Sequence, residues 1–237
     1  MVTAEMQRRL RRWRRYCFTI AELPVPSPIL VIACGALARE IQALKRLNHW
    51  QHLHLQCMDA SLHNRPEQIT ERLREKIRAQ RAHYQQIFIG YADCGTGGAL
   101  DRMLLEESLE GQIHRLPGAH CYEFYAGHKE FAELQEAELG TFYLTDFLVR
   151  HFQYLVIELL QLDQHPELQT TFFAGYHKLV YLSQTHDRSL LRQAKEAAQR
   201  LDLEFVQVHS GYGLLEIELK EQLGRVDESQ KHDRLLA

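Results

Sequence analysis

"KLVYLSQTHDRSLLRQAKEAAQRLDLEFVQVHS", residues 178–210, is the stretch whose reading decides the fold. Residues 178–185 and 203–210 are short runs of β-branched, leucine and aromatic residues, the composition of buried strands. Between them, 188–202 reads as a helix. A strand, a helix and a strand in that order make a βαβ unit, whose two strands run parallel.

Working outward, the same alternation recurs upstream. "PVPSP" (24–28) breaks any helix, "ILVIA" (29–33) reads as a fully buried strand, and "CGALAREIQAL" turns from its end into a helix reaching about Leu47. "LHLQCM" (53–58) is a second strand. "HNRPEQITERLREKIRAQ" opens a helix, with Asn64 as cap, Pro66 in the first turn, Glu67 three residues after Asn64, and Ile69, Leu73 and Ile77 as its apolar stripe. "QIFIGYA" (86–92) is a third strand, followed by a helix over about 99–109, and "IHRLPG" (113–118) is a short fourth. Residues 141–163, "TFYLTDFLVRHFQYLVIELLQLD", place Leu144, Phe147, Leu148, Phe152, Leu155 and Leu159 at helical spacing. They predict one core helix with Asp146 and Arg150 a turn apart on its outer face, stopped by His165 and Pro166. A last helix follows "GYG" (211–213). The expected class is α/β: Rossmann-like, with a mainly parallel sheet and helices on both faces. The expected organisation is a basic extension (1–26), an α/β domain (27–225) with room for two similar halves, and a polar tail (226–237).

At 237 residues the chain can bury a sizeable core. No apolar run approaches the ~20 residues of a membrane helix, and the N-terminus lacks a secretory signal, so a soluble cytoplasmic protein is expected. The net charge of -3 hides an asymmetry: Arg8, Arg9, Arg11, Arg12, Arg14 and Arg15 stand against Glu5 alone in the first fifteen residues. Such a head suits an RNA or an anionic surface, but a solvated tail or an early start codon is the simpler account. The remainder is acidic and has no basic patch interleaved with aromatics, which argues against nucleic acid.

Five cysteines stand at 17, 34, 57, 94 and 121, an odd number without a CxxC pair, so no disulfide framework is expected. Cys17 and Cys57 are assigned to packing. Cys34, Cys94 and Cys121 each follow a predicted strand, and ligands of open α/β sheets gather at the carboxyl ends of strands. A nearby helix start favours the thiolate, and three thiolates suit zinc or an iron-sulfur cluster, with the fourth position left to water or substrate. Asp93, His120 and Glu123 are the candidates for fourth ligand or proton carrier. The alternative of buried small residues carries equal weight at this point, since separations of 60 and 27 residues match no known metal motif. In the loop "CGTGG", Gly95, Gly97 and Gly98 offer backbone N–H groups to a ligand. Without the P-loop lysine or a full dinucleotide fingerprint, a substrate carboxylate or oxyanion fits them better than a nucleotide. His63, Arg65 and His209 also follow strand ends. A metal-free enzyme with Cys94 as nucleophile and His120 or His63 as base is a rival.

At "IACGALAREI", "LHNRPE", "YADCGTGGALD", "GAHCYEF" and "GTFYLTDFLVRHF" the sequence resembles a bacterial and archaeal family known as domain of unknown function number 1638, over roughly residues 29–215. Members are similar to one another at the positions of Cys34, Cys94 and Cys121, which strengthens the metal site. Relatives are often encoded beside corrinoid-dependent methyltransferases acting on methylated amines and betaines. The resemblance therefore implies one-carbon or methyl-transfer metabolism, with a small-molecule substrate and a corrinoid protein or methyltransferase as partner. It equally implies a non-enzymatic role in delivering a metal or corrinoid. Quinolinate synthase, which hangs a cluster on three cysteines at strand ends, is an architectural analogy sharing none of these blocks.

Overall fold

The computed structural model describes residues 28–84, 86–108 and 113–221. The arginine-rich head, Cys17, the tail 226–237 and the predicted helix end at Leu109 lie outside them.

The first sheet contains β1 (Ile29–Cys34), β2 (Leu53–Met58), β3 (Gln86–Gly90) and β4 (Ile113–Arg115) in the order β2-β1-β3-β4, all parallel. β1 pairs on both edges, with Ile29 opposite Leu53 on one side and Gln86 on the other. Its apolar run is buried on both faces, as a central parallel strand requires. The chain leaves β1 to build β2 on one side and returns to build β3 on the other. β1 and β3 therefore bracket the point where the winding direction reverses, where open α/β sheets bind their ligands.

Helices cover both faces. Leu30, Ile32, Ile87 and Ile89 pack against α2 (Pro66–Gln80) and α3 (Ala99–Glu107), while Ile29, Val31 and Phe88 pack against α1 (Ala38–Leu47) and α4 (Cys121–Ala126). The apolar stripe Ile69, Leu73 and Ile77 of α2 is fully inside. Pro66 opens that helix as predicted, but Asn64 does not cap it: Asn64 ends a preceding 3-10 turn and donates to the Leu155 carbonyl at 3.3 Å. Next comes α5 (His128–Ala137).

The predicted single helix over 141–163 is corrected. Thr141–Thr145 forms β5, which joins β6 (Lys178–Ser183) and β7 (Glu204–His209) in a second parallel sheet, ordered β5-β6-β7. Only Asp146–Arg150 (α6) continues as α-helix, with the Thr145 hydroxyl accepting from the Leu148 N–H at 3.3 Å, before a wider π turn at Gln153–Glu158. Asp146 thus sits at a strand end, fully buried, instead of on an outer helix face. α7 (Leu168–Phe172) precedes β6, and the βαβ unit of the opening stretch forms as read, with α8 (Arg188–Leu201) as its crossover. Asp187 caps α8 by accepting from the Ser189 and Leu190 N–H groups.

The two sheets share a core. Val31 and Ala33 of β1 lie in the same buried cluster as Tyr143, Val180 and Leu182 of the second sheet, closed by Phe124 of α4 and by Leu215 and Leu219 of helical residues 214–221.

Candidate functional site

The thiols of Cys34, Cys94 and Cys121 come from distant points of the chain to the carboxyl end of the first sheet. Cys34 ends β1, Cys94 follows β3 in the turn after Ala92, and Cys121 opens α4 beyond β4. All three are free, partly buried, and packed against the shared core. Cys57, by contrast, is exposed on β2 and does not pack as expected.

Their electrostatics place the three in one neighbourhood. Burial pushes the Cys94 thiol up to about 12, and the Cys34 thiol adds to the rise. Burial, then Cys94, then Cys34, raise Cys121 well above the ordinary range. Cys34 is raised by burial, against the Ala36 N–H and the Tyr91 hydroxyl, which pull it down. The backbone N–H of Cys121 acts on the Cys94 sulfur, and that of Tyr122 on the Cys121 sulfur, in the lowering direction. Tyr91 is buried without a hydrogen-bond partner of ordinary geometry, and Cys34 is the foremost group acting on its hydroxyl. Arg115 acts on Cys94 but is bound to Asp101, and burial outweighs it, so the three remain protonated thiols at neutral pH. Among the described residues, no three His, Cys, Asp or Glu side chains close into a set able to hold a metal ion.

The turn at Cys94 is built around an anion of the protein's own. Asp93 accepts from Thr96 Oγ1 at 2.6 Å and from the N–H groups of Gly98 at 2.8 Å and Gly97 at 3.0 Å. Burial alone would raise its pKa, but these donors, with Arg115, outweigh it and hold the carboxyl below its usual value. Gly95, Gly97 and Gly98 all have positive φ, so the loop coils around that carboxylate, and two of its three glycine N–H groups are engaged within the protein. Cys94 itself has φ +49°, a left-handed conformation that a residue bearing a side chain adopts at a cost.

Glu123 is likewise engaged, accepting from the Ala119 N–H at 3.1 Å and meeting His128 Nδ1 at 2.5 Å. His120 is exposed, 6.5 Å from the Tyr122 ring. His63 stands edge-on to the Tyr122 ring at 6.4 Å and lines a small apolar recess with Cys121, Tyr125, Thr145 and Leu148. Crowding and the nearby His120 push the His63 pKa down, although its edge stays open to solvent. The recess holds about 10 Å³, room for about one water. Thr145 and Leu148 come from the second sheet's carboxyl end, so that end reaches the recess beside Cys121. Farther along it, His209 stacks on His186 at 3.9 Å and meets Ser183 Oγ at 3.2 Å.

The residues that sequence reasoning missed are Tyr91 and the buried set around Asp146. Asp146 accepts from Thr185 Oγ1 at 2.5 Å, Tyr181 Oη at 2.7 Å and the Gln184 N–H at 3.1 Å. The signal of the Asp146 set was available only once 141–145 is a strand.

A family model described as "Protein of unknown function (DUF1638)" matches residues 57–219, more than half of the chain, and the chain belongs to that family. The matched stretch holds Cys94 and Cys121, with Cys34 ahead of it. No curated protein matches the sequence.

Proposed function

We propose that this DUF1638 member uses Cys34, Cys94 and Cys121 as thiolate ligands of a soft metal centre, either zinc or an iron-sulfur cluster. The carrying observation is that three thiols from distant points of the chain gather at the switch point between β1 and β3, where burial and one another's presence keep them un-ionised. A bound metal is the group that would stabilise all three as thiolates. The donor set fits in kind: soft sulfur, with backbone N–H groups aimed at two of the sulfurs. Ligation requires the three side chains to rotate toward one point. A left-handed Cys94, where glycine would be cheaper, also supports a retained task for that thiol.

The metal-free alternative has less support. A thiol held near 12 is a poor nucleophile at neutral pH, and no histidine forms a hydrogen bond to Cys94 among the described residues. The setting in one-carbon or methyl-transfer metabolism, with a small-molecule substrate and a corrinoid protein or methyltransferase as partner, rests on the resemblance alone. In that setting the centre supplies Lewis-acid or redox chemistry. Asp93 and Glu123 serve it by fixing the two loops that carry Cys94 and Cys121, while His63 and His120 are the protonatable groups nearest the recess.

The test is metal and acid-labile sulfide analysis of anaerobically purified protein, wild type against Cys34→Ala, Cys94→Ala and Cys121→Ala. Stoichiometric metal lost in every variant is expected, and sulfide content separates cluster from zinc. Folded wild type free of both metals overturns the proposal.

A further inference from the structure

A cavity of about 450 Å³, open to solvent, lies beside α1 just after the Gly35–Leu37 turn. Ala36 and Leu37 line the cysteine recess, and the next residue, Ala38, lines this cavity. Its volume falls in the range of ~300–1,000 Å³ typical of small-molecule pockets. Its wall carries Arg39, Glu40 and Arg46 from α1, Arg150 from the end of α6, Thr185 after β6, and Tyr212.

Two of these groups are buried and unsatisfied. Glu40 is only 4% exposed, and its Oε2 has no hydrogen-bond partner. Arg150 Nη1 is also buried without one, while Nη2 lies 3.7 Å from Asp146 Oδ2. The Asp146 carboxylate is already occupied by Tyr181, Gln184 and Thr185. Glu40 and Arg150 do not pair with each other among the described residues, and both line the cavity, so its wall holds an orphan acceptor and an orphan donor, each covered in the ligand-free protein and within a side-chain rotation of the opening. Leaving either group unmade is costly, and folds keep such groups where a ligand completes them. Three guanidiniums against one free carboxylate set the sign of that ligand.

We infer that this cavity binds a small organic anion that also carries a hydrogen-bond donor. Its carboxylate or phosphate meets Arg150, Arg39 and Arg46, whose guanidiniums match planar or tetrahedral oxyanions. Its hydroxyl or ammonium group meets Glu40. The inference stands without the thiol centre, since none of the six residues is a thiol or touches one.

Titration calorimetry on the full chain with millimolar glycerol 3-phosphate and L-serine tests it, the first offering phosphate with hydroxyls and the second carboxylate with ammonium. Binding of at least one is expected, and which one binds identifies the anion. Glu40→Leu and Arg150→Leu should each weaken that binding by about tenfold or more. Glu40→Leu should also leave the ligand-free melting temperature unchanged or higher, because it removes a buried, unpaired carboxylate. Failure of both compounds to bind wild type overturns the inference, as does binding that neither substitution weakens, or a Glu40→Leu variant that melts lower as a structural carboxylate would.

Discussion

At Cys94 the backbone and the side chain make opposite demands. The turn wants φ of +49°, which glycine satisfies freely, whereas the thiol requires a Cβ there. Replacing the thiol in two ways separates these demands. Cys94→Ala and Cys94→Gly both lose the sulfur, but only the second relieves the left-handed strain, so Cys94→Gly should be the more stable of the two by about 1 kcal/mol. Urea denaturation of both variants measures it. Equal stabilities would mean that the turn bears no strain, and the backbone support for a retained thiol would fall. Neighbouring Asp93 shows what residue patterns could and could not convey. The acid and the glycines were legible as an anion-binding loop, but not that the anion is Asp93 itself, because sequence does not show which way a side chain turns.

Among the elements, the closing helical residues 214–221 depend on one position. Gly213 has φ +51°, and a Cβ there would collide with the backbone carbonyl oxygens of Phe124 and Tyr125 in α4. Gly211 has a similar φ of +57° but nothing within 4 Å of an added Cβ. Gly211→Ala should therefore cost only the conformational penalty of about 1 kcal/mol, and Gly213→Ala about 3 kcal/mol, because α4 must shift as well. Thermal unfolding of the two variants makes the comparison, and equal costs would show that the helix does not dock tightly on α4. Element reading from sequence succeeded where one periodicity stood alone, as in β1, α2 and the β6-α8-β7 unit. It failed at 141–145, where Leu144, Phe147 and Leu148 fit a helix while Thr141, Phe142 and Tyr143 fit a strand. Pairing with β6 decides such a tie, and pairing is a long-range fact absent from a local window.

For the whole molecule, the question is whether two parallel sheets that share no strand behave as one folding unit. Their inner faces meet in a single cluster, with Val31 of β1 and Leu182 of β6 both fully inside, and Phe124 between the layers at no exposure. Cutting Leu182 to alanine removes transfer energy and leaves a cavity, at a cost of about 2–5 kcal/mol. If the core is truly common, that loss belongs to the global unfolding of both sheets, not to a local opening of the second. Amide hydrogen exchange of Leu182→Ala should then accelerate in β1, which contains no changed residue, by the same free energy as in β6. Acceleration confined to β5, β6 and β7 would show two units that only touch. Common unfolding also bears on the site, because Cys121 of α4 and Ala36 and Leu37 after β1 line one recess with Thr145 and Leu148 of the second sheet's end only while both sheets are folded together. A core substitution in either sheet should thus loosen the thiol neighbourhood in proportion to its global cost, without altering any cysteine.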